Sequence, residues 1–118
     1  MLQGKTALIT GGTSGIGFAA ARLFLKNGAR IAVTGRERGR LEEVQRQLGD
    51  GIVAIQADVR RRGDLLGMAE ELKGAFGALD IVFANAGVAY ATPIETTDEA
   101  AYDELMDVNF KAVFFTVQ

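Results

Sequence analysis

"TGGTSGIG", residues 10–17, is the stretch that decides the fold, because it joins an apolar run to a helical pattern. Glycine lets the backbone turn tightly and approach a ligand closely, and the first turn of a helix offers free N–H groups to a phosphate. The spacing of Gly11, Gly15 and Gly17 is G-x-x-x-G-x-G rather than the commoner G-x-G-x-x-G. The position between a strand and a helix favours a pyrophosphate site over a glycine-rich turn that binds nothing.

Four short apolar runs frame this motif and predict β-strands. Each is apolar nearly throughout, as expected of strands that are covered on both faces in a parallel sheet. The four runs are TALIT (6–10), RIAVT (30–34), GIVAIQA (51–57) and LDIVFAN (79–85).

Helical patterns follow each of the four runs. Apolar residues recur three and four positions apart, and the first three patterns stop at glycine, which commonly ends helices. The fourth helix should begin near Thr97, Asp98 and Glu99, whose oxygens suit free N–H groups, and should run to Gln118. The apolar residues of the first three patterns are Ile16, Ala19, Ala20, Leu23 and Phe24; Leu41, Val44 and Leu48; and Leu65, Met68, Ala69, Leu72 and Phe76.

The resulting order, βαβαβαβα, predicts an α/β fold with a doubly wound parallel sheet of the Rossmann type. We find no internal repeat and no linker, and the only proline lies between the fourth strand and the last helix. The sequence therefore predicts a single dinucleotide-binding domain over residues 1–118.

Composition excludes several kinds of function. The 118 residues contain no cysteine and no histidine, so we expect no thiolate or imidazole metal site and no cysteine or histidine catalysis. A net charge of −2 gives no general attraction to nucleic acid or to anionic membranes. No apolar stretch reaches membrane-spanning length, and the first apolar run is too short for a signal peptide, so we expect a cytoplasmic protein.

Five motifs, in this order, resemble those of the short-chain dehydrogenase/reductase family. TGGTSGIG is followed by TGR (34–36), ADV (57–59), NAG (85–87) and DVNFKAVFF (107–115). The resemblance covers the chain from Met1 to Gln118. It implies a nicotinamide cofactor across the carboxyl edge of a parallel sheet with strand order 3-2-1-4. This order leaves the fourth strand with an unpaired edge over residues 80–84.

The resemblance assigns cofactor contacts to individual positions. The residues of the glycine-rich turn would surround the pyrophosphate and the adjacent ribose, and the Asp58 carboxylate would accept a hydrogen bond from the adenine amino group. Asn85 would also steady the sheet, although Asn85 and Gly87 are equally suited to an ordinary turn after a strand. The implied cofactor-binding residues are Gly11, Thr13, Ser14, Gly15, Ile16, Gly17, Arg36, Asp58, Val59, Asn85, Ala86 and Gly87.

The end of the second strand favours NADP(H) over NAD(H). NAD-specific members of the family commonly place an acidic residue there, which binds the adenosine 2′-hydroxyl and would repel a 2′-phosphate. This chain has Gly35, followed by Arg36, whose planar guanidinium suits a phosphate. We interpret Arg38 and Arg40 as solvated loop and helix residues, and the run 60–62 as a charged surface beside a helix start.

The proton-transfer residues of the family are only partly present. The resemblance implies a Tyr-x-x-x-Lys pair, an orienting serine and an asparagine that holds a relay water. Asn109 matches the catalytic asparagine, but neither Tyr90 nor Tyr102 is followed by lysine four positions later. We therefore expect the cofactor-binding half of such an enzyme, truncated after the fourth helix and slow in turnover on its own.

Two functional classes stay open at this stage. The first is part of an NADP(H)-dependent oxidoreductase that acts on a carbonyl or alcohol substrate. The second is a non-catalytic nucleotide-binding or structural module, natural or engineered, that self-associates.

The apolar pattern of residues 101–118 predicts self-association for both functional classes. One stripe of this helix suits the sheet: Ala101, Leu105, Val108, Ala112 and Phe115. A helix that is also apolar on its other sides belongs inside an interface, and in the family this helix packs on its equivalent in a partner subunit. We therefore expect a homodimer or higher oligomer. The remaining apolar residues are Met106, Phe110, Val113, Phe114 and Val117.

Overall fold

The structure, a computed structural model, describes all of residues 1–118 and contains one sheet of four parallel strands. The strands are β1 (Thr6–Ile9), β2 (Arg30–Gly35), β3 (Val53–Gln56) and β4 (Ile81–Phe83), and their order is β3-β2-β1-β4. In register, Leu8 lies opposite Ala32 on one side and Val82 on the other. The predicted Rossmann-like α/β fold and its strand order 3-2-1-4 are confirmed.

Helices cover both faces of the sheet, and each face has its own apolar core. Helices α1 (Gly15–Lys26) and α2 (Arg38–Leu48) lie on one face, whereas α3 (Arg62–Phe76) and the last helical segment lie on the other. No helix is both long enough and apolar enough to cross a membrane. The first core contains Ile9, Ile31, Val33, Leu41 and Val44, and the second contains Leu8, Ile55, Leu65, Met68, Leu72 and Ala112.

The last helical segment begins and faces the sheet as predicted, but it is not one regular α-helix. Asp98 caps helix α4 (Glu99–Met106) by accepting a hydrogen bond from the N–H of Ala101 at 2.8 Å. A π-helical turn (Asp107–Lys111) follows, and α5 (Ala112–Val117) completes the segment. Such wider turns break the regular i to i+4 pattern and often mark functional positions.

The buried stripe of α1 differs from the predicted one. Gly17 and Ala21 are its buried residues, whereas Ile16 and Leu23 are 74% and 57% exposed, and Ala19 is also exposed. The helix lies so close to the turn after β1 that only the smallest residues fit between them. Of the apolar residues at helical spacing in α1, Phe24 packs against the core, whereas Ile16, Ala19 and Leu23 do not mark the buried face.

Strand β4 is a short edge strand. It pairs only with β1, and Val82 is 40% exposed, so the expectation that all four strands are covered on both faces is wrong for β4. Its expected unpaired edge is confirmed. The Asp80 carboxylate accepts hydrogen bonds from the backbone N–H of Thr6 at 2.8 Å and from its hydroxyl at 3.1 Å. These bonds align β4 with β1, although β4 has only three residues.

Candidate functional site

A cleft of about 360 Å³ opens at the carboxyl ends of the four strands. One loop from each strand contributes to it, at the point where the chain passes to helices on opposite faces of the sheet. Ligands of open α/β sheets bind at such a point. The lining residues are Gly11, Thr13, Ser14, Ile16, Thr34, Gly35, Arg36, Glu37, Arg40, Ala57, Asp58, Val59, Arg60, Asn85, Ala86, Gly87, Val88 and Val108.

The glycine-rich turn is packed too tightly for side chains at three positions, Gly11, Gly12 and Gly17. A Cβ atom at Gly17 would lie 2.5 Å from Nδ2 of Asn85 and closer still to the carbonyl oxygen of Gly11. Gly11 has a φ of +64°, and a Cβ there would lie 2.9 Å from the Cα of Ala86. Glycine is therefore required by space at Gly17 and by both space and conformation at Gly11.

The first turn of α1 presents free donors. The backbone N–H groups of Gly15, Ile16 and Gly17 make no hydrogen bond within the chain, and Ser14 provides no side-chain cap. Together with the positive end of the helix dipole, such groups suit an anion. The turn fits the pyrophosphate of a dinucleotide.

Asn85 fastens the end of β4 to the end of β1. Its Nδ2 donates to the carbonyl oxygens of Thr10 at 3.1 Å and Gly11 at 3.2 Å, and the N–H of Ala86 donates to the Thr10 hydroxyl at 3.1 Å. These bonds hold the loop after β4 against the glycine-rich turn. Asn85 therefore has the sheet-steadying position that the resemblance implied.

Arg60 donates every hydrogen bond that the Asp58 carboxylate accepts. Its Oδ1 accepts from the backbone N–H and the Nε of Arg60, both at 3.0 Å, and its Oδ2 accepts from Nη2 at 2.8 Å and Nε at 3.3 Å. These hydrogen bonds, mainly from the Arg60 side chain, lower the pKa of Asp58 from 3.8 to about 2 despite partial burial. The interpretation of Arg60 as a merely solvated charge was wrong.

The three arginines that follow β2 have different partners. Arg40 pairs with Glu37 at 3.0 Å, and Arg38 donates to Oε1 of Gln56 at 3.2 Å. The Arg36 guanidinium has no ion pair or hydrogen bond within the chain, and Arg36 lines the cleft. Arg36 is therefore the one of the three whose guanidinium is free for a ligand.

Asn109 does not line the cleft. Its Oδ1 accepts from the N–H of Val88 at 2.8 Å, and its Nδ2 donates to the Val88 carbonyl at 2.7 Å. The side chain therefore ties the π-helical turn to the loop after β4. A Cβ at Gly87 would lie 3.1 Å from the same Oδ1, so this loop passes close to Asn109.

The structure brings most of the predicted cofactor residues together. Gly15 and Gly17 lie at the start of α1 without lining the cleft, and the other ten line it. The sequence reading missed Arg60 and Thr34. The Thr34 hydroxyl is the only buried side-chain nitrogen or oxygen without a hydrogen-bond partner. A threonine at the end of a strand is too ordinary to signal such a position. No group of acidic side chains is arranged to hold a metal ion.

Comparison with known proteins agrees with this geometry. The family model for short chain dehydrogenases matches residues 5–118. The chain therefore belongs to the short-chain dehydrogenase family, whose members use a nicotinamide dinucleotide.

Relatives and solved structures show how much of the family the chain represents. Oxidoreductase asL5 of Sarocladium schorii is 42% identical over 99% of this chain and 47% of its own length. The NADP-dependent (R)-specific alcohol dehydrogenase of Lentilactobacillus kefiri is 35% identical over 97% of this chain and 46% of its own. A crystal structure of 3-ketoacyl-(acyl-carrier-protein) reductase from Brucella melitensis complexed with NADH superposes with a TM-score of 0.94, at 32% identity, over 99% of this chain and 48% of that one. The chain spans about half the length of the relatives it matches.

The space at Gly17 generates a first prediction. Gly17→Ala should lower the free energy of unfolding by about 1–3 kcal/mol, because the added methyl group forces α1 away from the turn. Denaturant unfolding followed by circular dichroism measures this change. Gly67→Ala is the matched control, since nothing lies within 4 Å of a Cβ there. That substitution, inside α3, should stabilise the protein by about 0.5–1 kcal/mol. Equal effects of the two substitutions would contradict the packing described for α1.

The lowered pKa of Asp58 generates a second prediction. A carboxyl group whose pKa falls from 3.8 to about 2 on folding stabilises the protein above pH 4, and the contribution is lost as pH falls towards 2. Solvent screens this interaction, so we expect the free energy of unfolding of wild type to exceed that of Asp58→Asn by about 1 kcal/mol at pH 6. This difference between the two free energies of unfolding should become smaller as the pH approaches 3. Unfolding curves at several pH values measure it, with Asp103→Asn, on the exposed surface of α4, as the control. A gap that stays constant with pH would show that Arg60 does not hold the ionised carboxylate.

Proposed function

We propose that residues 1–118 form the NADP(H)-binding part of an oxidoreductase that transfers hydride to or from a carbonyl or alcohol substrate. The observation that carries the choice of cofactor is the unpaired guanidinium of Arg36 in the cleft. A bidentate donor of this kind suits the 2′-phosphate that distinguishes NADP(H) from NAD(H).

The neighbourhood of Arg36 supports the same choice. A Cβ at Gly35 would lie 2.7 Å from the methyl group of Thr13, so an acidic side chain at Gly35 would have to displace Thr13. Glu37 is the acidic residue nearest in sequence, and its carboxylate is already neutralised by Arg40. No unpaired carboxylate from this loop therefore opposes a phosphate beside Arg36.

The relatives support binding of a nicotinamide dinucleotide. They do not decide between NAD(H) and NADP(H), because they differ in this respect. The Brucella melitensis reductase is complexed with NADH, whereas the Lentilactobacillus kefiri relative is NADP-dependent. The preference proposed for this chain therefore rests on Arg36 and Gly35 and not on the relatives.

The roles proposed for the chain's own residues are binding and orientation. When bound, the nicotinamide supplies the hydride. The free N–H groups of α1 hold the pyrophosphate, and Arg36 holds the 2′-phosphate. Asp58 and Val59 face the adenine, and Asn109 fixes the loop after β4 through Val88. Asn109 matches the family's relay asparagine in sequence, and the role that we propose for it is to position this loop beside the cleft.

We propose further that the chain self-associates through residues 101–118. Phe110 and Phe114 are 70% and 62% exposed, and Met106 and Val117 are exposed beside them. The opposite side of the segment already packs on the sheet through Ala112 and Phe115. Contiguous exposed apolar surface of this kind marks an interaction site.

The proposed phosphate contact generates a third prediction. Arg36→Ala should weaken NADPH binding by about 10- to 100-fold, the usual effect of losing hydrogen bonds to a charged group. NADH binding should be nearly unchanged, since NADH lacks the 2′-phosphate. Isothermal titration calorimetry with both cofactors measures the two affinities.

Arg38→Ala is the matched control, because Arg38 is engaged with Gln56 and does not line the cleft. It should leave both affinities unchanged. Equal losses for NADPH and NADH in Arg36→Ala, or no binding of either cofactor to wild type, would refute the proposed cofactor preference.

The exposed phenylalanines generate a fourth prediction. Phe114→Glu should convert the oligomer to a monomer, because a carboxylate cannot be buried in an apolar interface without a partner. Sedimentation velocity over a range of concentrations measures the change.

Leu23→Glu provides the control, since Leu23 is similarly exposed but lies on α1. It should leave the assembly intact. A wild-type protein that stays monomeric at high concentration would rule out the interface.

A further inference from the structure

The Asp58–Arg60 pair occupies the part of the cleft where the proposed function places the adenine. An ionised carboxylate has about four lone-pair sites. Arg60 alone makes four contacts with them, through its backbone N–H, Nε and Nη2. An adenine amino group that approaches Asp58 therefore competes with the N–H groups of Arg60 for the carboxylate oxygens.

Arg60 also has acidic neighbours other than Asp58. The pKa of Arg60 is raised, first by its hydrogen bonds to Asp58 and then also by the charges of Glu104 and Asp107. These two carboxylates belong to α4 and the π-helical turn, the segment that contributes Val108 to the cleft. Only Nε and Nη2 of the Arg60 guanidinium contact Asp58, so its Nη1 group is left for a second acceptor.

We propose that Arg60 determines the base specificity of the cleft, by making the Asp58–Arg60 pair a combined acceptor and donor for the six-position of a purine. This inference rests on the proposed dinucleotide site. The pair accepts a base with a six-amino group through Asp58 and a base with a six-oxo group through Arg60. The cleft therefore binds a broader range of purine bases than a site with the Asp58 carboxylate alone would bind.

The two cases differ in which partner of the pair is used. An adenine amino group donates to an Asp58 oxygen, and one N–H group of Arg60 turns away from that oxygen. A hypoxanthine oxygen accepts from Arg60, which keeps its remaining bonds to Asp58. Without Arg60, the carboxylate would favour the amino group and repel the oxygen.

Comparing NADPH with its hypoxanthine analogue, deamino-NADPH, tests this proposal by binding alone. Calorimetry should give wild-type dissociation constants for the two that agree within about threefold. Arg60→Met removes the donors and keeps a side chain of similar length. It should bind NADPH at least about tenfold more tightly than deamino-NADPH. Arg60→Lys keeps a charged donor and should stay near the wild-type ratio.

Arg61→Met is the matched control for the loss of one positive charge. Arg61 is the next residue, its Nε lies 4.0 Å from Oδ2 of Asp58, and it does not line the cleft. It should leave the ratio unchanged. A ratio in Arg60→Met within about twofold of the wild-type ratio would overturn the proposal, as would a tenfold preference for adenine already present in wild type. Failure of wild type to bind either nucleotide would instead contradict the proposed function, and this inference with it.

Discussion

Gly17 has no side chain, and this allows α1 to lie directly against the turn after β1. Because no Cβ stands between α1 and the turn after β1, the Asn85 amide can reach the carbonyl oxygens of Thr10 and Gly11. The N–H groups of the first turn of α1 are free, as at the start of any helix, and lie beside the cleft. One position without a side chain thus joins the β1 turn, the start of α1 and the end of β4 into a single binding surface.

The charge that the cleft offers to a ligand depends on which of its charged side chains are paired, and not on how many there are. Arg40 and Arg60 are neutralised by Glu37 and Asp58, and Arg38 is held by Gln56. Arg36 is left as the free cation beside a glycine that leaves no room for a competing carboxylate. An overall charge of −2 therefore says little about a site whose local field favours an anion.

The resemblance to the short-chain dehydrogenase/reductase family supplied the strand order and ten of the cleft residues. The residues alone predicted the alternation of strands and helices and the glycine-rich turn, because backbone demands leave strong signals. A position that only glycine can occupy, or a turn at the end of a strand, can be recognised from the residue type itself. The stripe of α1 was missed because close packing selects Gly17 and Ala21, which hydrophobic patterns count least. Arg60 was missed because an arginine beside a helix start looks like solvated surface, and its bonds to Asp58 depend on the loop's conformation. The π-helical turn has no pattern of its own, and its contact with Val88 joins residues 21 positions apart.

The central claim is that the cleft at the carboxyl edge of the sheet binds a nicotinamide dinucleotide phosphate. The most direct test is a two-dimensional ¹⁵N–¹H correlation spectrum of the uniformly labelled chain, recorded as NADPH is added. We expect the shifted amides to cluster at residues 11–17, 35–36, 58–60 and 85–88, whereas those on the outer surface of α2 should not move. Shifts confined to another surface, or an unchanged spectrum at millimolar NADPH, would contradict the claim.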